Sequence, residues 1–366
     1  MEKIYERILD KIDDNKYVNV DYNMIINGKP LIFMVIVLKK IELLLKMIDA
    51  KTNLDAVTYP EKLTPLSTAI YMNNLDIIKI LVENKVDINK STERDNISPL
   101  MIASELNNKD IVKILLDNKA DIDYTNEEGE SALKLSINNK SYDVLNYILN
   151  SGIDVNNTFN NETLLTIAIE NNDKYLVELL LKKKSDVNYC KDFDWRTSLV
   201  LSVQNNSINV IQSLVDGKAD INGKVNCLSP LFFSIINNSE ECFNILIKLG
   251  ADPNKKSRSK GSEGFITPLH ISVAENSVKY LELLIQNKAD VNIMSSFNDE
   301  TPLYIASYMN NYDCLKILIK NKANPDILKR GTKLSAIDIA VKESDCYKLL
   351  LEEKNKRKLM KCKEYL

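Results

Sequence analysis

The chain has 366 residues, 45% of them hydrophobic and 27% charged, with 48 Lys and Arg against 51 Asp and Glu for a net charge of −3. This balance is ordinary for a folded chain and makes no global electrostatic case for nucleic acid or an anionic membrane surface. The longest apolar run, 31–38, falls far short of the roughly 20 residues of a spanning helix, and residues 1–15 are charged throughout rather than built as a secretory leader.

Length alone would suggest two or three domains, but a recurrent pattern overrides that prior. In residues 1–28, Ile4, Ile8 and Ile12 fall on one helical stripe and predict a capping half-unit. Lys29-Pro30-Leu31 opens an apolar first unit that ends near Asp55. The following starts are Thr64-Pro65-Leu66, Ser98-Pro99-Leu100, Ser131-Ala132-Leu133, Thr163-Leu164-Leu165, Thr197-Ser198-Leu199, Ser229-Pro230-Leu231, Thr267-Pro268-Leu269-His270, Thr301-Pro302-Leu303 and Ser335-Ala336-Ile337. Their spacings are 34, 33, 32, 34, 32, 38, 34 and 34 residues. A fixed period of this size means stacked small units that share one extended core. Within 98–131, Ser98 is a good N-cap and Pro99 suits the first turn, which predicts a first helix to about Leu106. Ile111, Val112, Ile114, Leu115 and Leu116 then form the stripe of a second helix. Ala120-Asp121-Ile122-Asp123 leads into a polar, finger-like stretch. The basic stretch 353–366 follows the last unit. Asn, Lys and Ile are abundant even at positions where they add little, which reads as a coding bias rather than a functional signal.

Two motifs recurring in phase, the Thr/Ser-Pro-Leu start and an Ala-Asp-x-Asn close such as Ala219-Asp220-Ile221-Asn222 and Ala289-Asp290-Val291-Asn292, resemble the ankyrin repeat over about 29–352. The resemblance implies an all-α, right-handed solenoid of nine to ten helix–turn–helix units with projecting β-hairpin-like fingers. At about 9–10 Å per helix layer it would be roughly 90 Å long and curved. The family's glycine at the end of the second helix is replaced by Lys85, Lys119, Lys184, Lys218, Lys288 and Lys322, while Gly152 and Gly250 keep it. A left-handed residue there costs a side chain on the order of 1 kcal/mol, so a less stable array with fraying ends is expected.

Candidate chemistry is sparse. The single histidine, His270, occupies a start motif, where the resemblance implies local hydrogen bonding that braces neighbouring repeats. No serine or cysteine stands out as its nucleophilic partner. Cys190, Cys227, Cys242, Cys314, Cys346 and Cys362 form no Cys-x-x-Cys pair. Of these, Cys242, Cys314 and Cys346 take the apolar second-helix position of Ile111. No phosphate-binding glycine loop is present. The expectation is a non-catalytic, intracellular and cytoplasmic scaffold with no cofactor, no metal and no small-molecule substrate. It is expected to be monomeric, without nucleic-acid or membrane function, and to bind a protein or peptide.

The resemblance places that partner on a concave face made by fingers and first-helix edges. Tyr71, Met72, Glu105, Glu170, Gln204, Tyr308 and Met309 are the positions it implies. Finger residues Phe193, Trp195 and Arg196 include the only tryptophan and have the composition of an interface anchor. The long spacing locates an insertion at 255–264, whose Arg258 and Lys260 suit an acidic partner. Narrower readings are a host-directed effector or adaptor, delivered into a host cell, and a sequestering inhibitor of a partner protein.

Overall fold

Each start motif becomes the N-terminus of a short helix, and the second apolar stripe becomes its partner. The computed structural model describes residues 9, 11–12, 20–59, 62–92, 95–159, 162–190, 196–223, 229–258, 264–296 and 299–364. Of the proposed N-terminal stripe, Ile12 is buried beside Leu9, while Ile4 and Ile8 lie outside the described residues. The chain divides into two units, Met1–Asn160 and Asn161–Leu366.

In the first unit the helix pairs are Leu31–Val37 with Ile41–Asp49, Pro65–Tyr71 with Leu75–Glu83, Pro99–Glu105 with Lys109–Asp117, and Ala132–Asn138 with Tyr142–Asn150. First helices stack on first helices in chain order. The second unit repeats the plan with Leu164–Glu170 and Lys174–Lys182, Ser198–Gln204 and Ile208–Asp216, Pro230–Ile236 and Glu240–Lys248, Pro268–Ala274 and Val278–Gln286, and Pro302–Tyr308 and Tyr312–Lys320. Its last pair differs: Ala336–Ile339 is a single turn, and Asp345–Glu364 runs for 20 residues, so the basic stretch from 353 begins inside that helix.

Local chemistry explains the uniformity. Ser98 Oγ accepts from the Met101 N–H at 3.3 Å, and Thr64 and Ser67 form a reciprocal capping box. Every residue of 99–104 is buried, and in the second helix Ile111, Val112 and Leu115 are buried on one face. Each such aliphatic side chain contributes about 1.5–3 kcal/mol by leaving water. Between adjacent second helices of the second unit, the buried rings of Phe243 and Tyr280 meet at 5.4 Å, tilted by 54°.

Both helices of a pair end in the same way. In the third pair the Asn108 and Asn107 N–H groups donate to Ala103 O and Ser104 O, and after the second helix the Ala120 and Lys119 N–H groups donate to Leu115 O and Leu116 O. This is the Schellman arrangement, which puts one residue in the left-handed region. At the first exit that residue is Asn73, Asn107, Asn172, Asn206, Asn238, Asn276 or Asn310, with φ of 49–56°, and Lys39 or Lys140, at 57° and 54°, in the first and fourth pairs. Asn tolerates that conformation better than most side chains. The next residue, as in Asn74 and Asn108, caps the second helix through its side chain. The asparagines are therefore not merely a coding bias, because the turns use them. At the second exit all six lysines expected there have φ of 62–69°, whereas Gly152 and Gly250 have 95° and 97°.

The Asp-x-Asn motif has a physical cause as well. The motif aspartate accepts from the N–H two residues on, as Asp87 does from Asn89 at 3.0 Å, and the motif asparagine accepts from the next repeat. Asn89 Oδ1 receives the Asp121 N–H at 2.8 Å in the first unit. In the second unit Asn188, Asn222, Asn254 and Asn292 receive the N–H groups of Asp220, Asp252, Asp290 and Asn324 at 2.7–2.9 Å. At the end of this ladder Arg357 takes over. Its guanidinium donates to Ala323 O and Asn324 Oδ1, both at 3.1 Å, and to Glu353 Oε1 at 3.0 Å.

Fingers close as short antiparallel contacts. Ile25–Ile26 pairs with Lys29–Pro30, and Thr125 bridges Ser131. In the second unit Cys190 bridges Thr197, and Ser257–Arg258 pairs with Phe265–Ile266. The base of the insertion is thus built into the stack: Ser257 is buried and its hydroxyl accepts from the Ser229 N–H at 3.0 Å.

Candidate partner-binding face

A seven-residue first helix makes just under two turns, so its last residue and the following cap emerge at the same place in every repeat. The left-handed residue, Asn in most repeats and Lys39 or Lys140 in two, turns the chain away at once, which leaves most of these side chains in solvent while most of the preceding residues are buried. In the first unit the ends read Val37, Tyr71-Met72, Glu105-Leu106 and Asn138-Asn139. In the second they read Glu170-Asn171, Gln204-Asn205, Ile236-Asn237, Ala274-Glu275 and Tyr308-Met309. Tyr71 is 46% exposed, Leu106 46%, Ile236 47% and Tyr308 67%. Val37, Met72 and Met309 are also exposed.

All of the first-helix candidates from the sequence therefore share one structural position, in their respective units. Sequence reasoning passed over Val37, Leu106 and Ile236. Leu106 reads as the last residue of an apolar stripe; only the helix end at Glu105 shows that it projects. Phe193, Trp195 and Lys260 lie outside the described residues. Arg258 lies exposed on the finger strand Ser257–Arg258.

Polar neighbours give these ends distinct characters. Burial and then the carboxylates of Glu105 and Asp95 raise the Tyr71 hydroxyl above its ordinary range. In the second unit Arg196 donates to Gln204 Oε1 at 3.0 Å. Burial and the nearby Glu162 raise the Glu170 carboxyl, and Arg196 opposes them. Farther along, the Lys329 ammonium meets Glu300 at 2.6 Å and lies 5.4 Å from the centre of the Tyr304 ring, with Arg330 and Asp299 paired at 3.9 Å. The hydrogen bond to Glu300 is the main reason that the Lys329 ammonium holds its proton above the ordinary lysine range.

His270 is elsewhere, inside the stack. Its Nδ1 accepts from the Thr267 N–H at 3.2 Å and lies 2.8 Å from Thr267 Oγ1, and its Nε2 meets Glu300 O of the next finger at 3.0 Å. Nε2–H is thus the donor, and burial lowers the pKa to about 4, so the ring is neutral at pH 7. Cys242, Cys314 and Cys346 are fully buried at equivalent core positions, and burial raises each thiol. Among the described residues no group of His, Cys, Asp and Glu is arranged to hold a metal ion. No helix among them is long and apolar enough to cross a membrane.

A family model described as ankyrin repeats in three copies matches residues 31–126, 84–159, 100–191, 165–257 and 256–329. The chain belongs to the ankyrin-repeat family. Ankyrin repeats are in general protein–protein interaction modules. Among solved structures, the ankyrin repeat domain of human ASB11 is 20% identical, with a TM-score of 0.45, over 70% of this chain and 97% of that one. No curated protein matches the chain.

Proposed function

We propose that this ankyrin array is a non-catalytic scaffold that binds a protein or peptide along its first-helix ends and fingers. The observation that carries the reading is the repeated exposure of large apolar and aromatic side chains at one structural position, among them Tyr71, Leu106, Ile236 and Tyr308. The stack does not need them, since the other repeats place Asn138, Glu170 or Gln204 there. Scattered exposed apolar side chains carry no such meaning, but exposed ones grouped on adjacent first helices, as Tyr71, Met72 and Leu106 are, mark a contact surface. The one imidazole is occupied at both nitrogens by the stack, which supports a structural use and leaves it no nucleophile to activate.

A photoreactive amino acid placed at Tyr308, and separately at the exposed Tyr175 on a second helix, tests the assignment. A partner cross-linked from Tyr308 and not from Tyr175 is the expected result. Equal cross-linking from both, or cross-linking from Tyr175 alone, would move the contact away from the first-helix ends.

A further inference from the structure

The proposed binding face is chemically different in the two units. The first unit carries 19 Lys and Arg against 25 Asp and Glu, a net of −6; the second carries 29 against 26, a net of +3. Most of the excess acid of the first unit is concentrated in one finger. Its finger at 120–131 holds Asp121, Asp123, Glu127, Glu128 and Glu130, and no Lys or Arg. Glu127 accepts from Asn96 Nδ2 at 3.2 Å, which ties this acidic finger to the preceding one. Glu105 ends the first helix between the two fingers, and its charge is felt at Tyr71.

Resting on the interaction function proposed above, we infer that the first unit receives a Lys/Arg-rich amphipathic segment of a partner protein, whose apolar side chains seat on Tyr71, Met72 and Leu106 and whose cations face Glu105 and the 120–131 finger. Two features select that occupant. An apolar row attracts apolar side chains of any origin, but carboxylates beside it penalise an acidic segment and steer a basic one. Long Lys and Arg stems also cover apolar surface while their heads stay in water, which matches a row of partly exposed Tyr, Met and Leu with acids alongside.

The test is selection from a random short-peptide display library on the intact protein, followed by affinity measurement with the recovered peptides. Enriched peptides are expected to combine net positive charge with Leu, Met or aromatic residues. A Tyr71→Ser/Leu106→Ser variant should weaken them by about tenfold or more. Glu105→Gln with Glu128→Gln should weaken them less and flatten the salt dependence, as the screening length falls from about 10 Å at 0.1 M to about 3 Å at 1 M. Circular dichroism and thermal melting confirm that the variants are folded. Recovered peptides that are acidic, or that bind the Tyr71→Ser/Leu106→Ser variant unchanged, overturn this inference while leaving the general interaction function standing. If nothing is enriched from any library position, both lose support.

Discussion

The first and second units share a skeleton and differ at its edges. Both use Ser or Thr caps, left-handed Asn exits (joined in the first unit by Lys39 and Lys140), Lys at the second exit and side-chain ladders between fingers. They diverge where the skeleton makes no demand: the first unit sets Tyr71, Met72 and Leu106 in a unit whose 120–131 finger is acidic, and the second mixes Glu170, Arg196 and Gln204 with Ile236, Tyr308 and a basic stretch at 255–258. Residues with a structural task recur in both, whereas residues free of one vary. In the function proposed above, these variable positions carry the partner preference.

Core substitutions probe the shared skeleton with the largest effect. Leu115→Ala in the first unit and Leu284→Ala in the second, both fully buried, should each cost about 2–5 kcal/mol in urea unfolding. A cost confined to one unit would break the equivalence.

Acid separates the units, because the only histidine is in the second. His270 has a pKa of about 4 when folded, against about 6.5 when unfolded. The unfolded chain binds the extra proton between those values, so stability is full above about pH 6.5 and falls by about 3 kcal/mol as pH drops towards 4. Hydrogen exchange measured across that range should show the His270-dependent loss around repeats 230–300 and not in the first unit. A His270→Gln variant should lose that component of the pH slope.

At the far end of the second unit, Arg357→Ala removes the donors to Ala323 O and Asn324 Oδ1 and should cost about 1–3 kcal/mol. The loss should be read as faster exchange in the last two helix pairs, with residues 31–150 unchanged. Smaller still is the effect at the strained lysines. Lys119→Gly and Lys288→Gly, at φ of 66° and 68°, should each stabilise by up to about 1 kcal/mol, equally in the two units.

The legible part of the fold was the part with local causes. Ser98-Pro99, the Asp-x-Asn turns and the lysines in glycine positions act within a few residues, so their spacing announces them. What was missed depends on distant contacts. Arg357 reads as one charge in a basic stretch, and its task is set by a carbonyl 34 residues earlier. Ser257 reads as loop, and its burial depends on the N–H of Ser229. The candidate face was legible in Tyr71 and Tyr308 because aromatics after a start motif stand out, while Val37, Leu106 and Ile236 blend into apolar stripes. The asparagines were undervalued because their use appears only when φ is known.

The central claim is that the first-helix ends are spared by the fold and kept for contact. It is tested most directly by the urea midpoints of four single variants, Tyr71→Ser, Leu106→Ser, Ile236→Ser and Tyr308→Ser. With the ends free of structural duty, each change should alter stability by no more than about 0.5 kcal/mol, and the unfolding slope should not change. A cooperative loss comparable to Leu115→Ala would show that these side chains hold the stack together, and would contradict their assignment to a binding face.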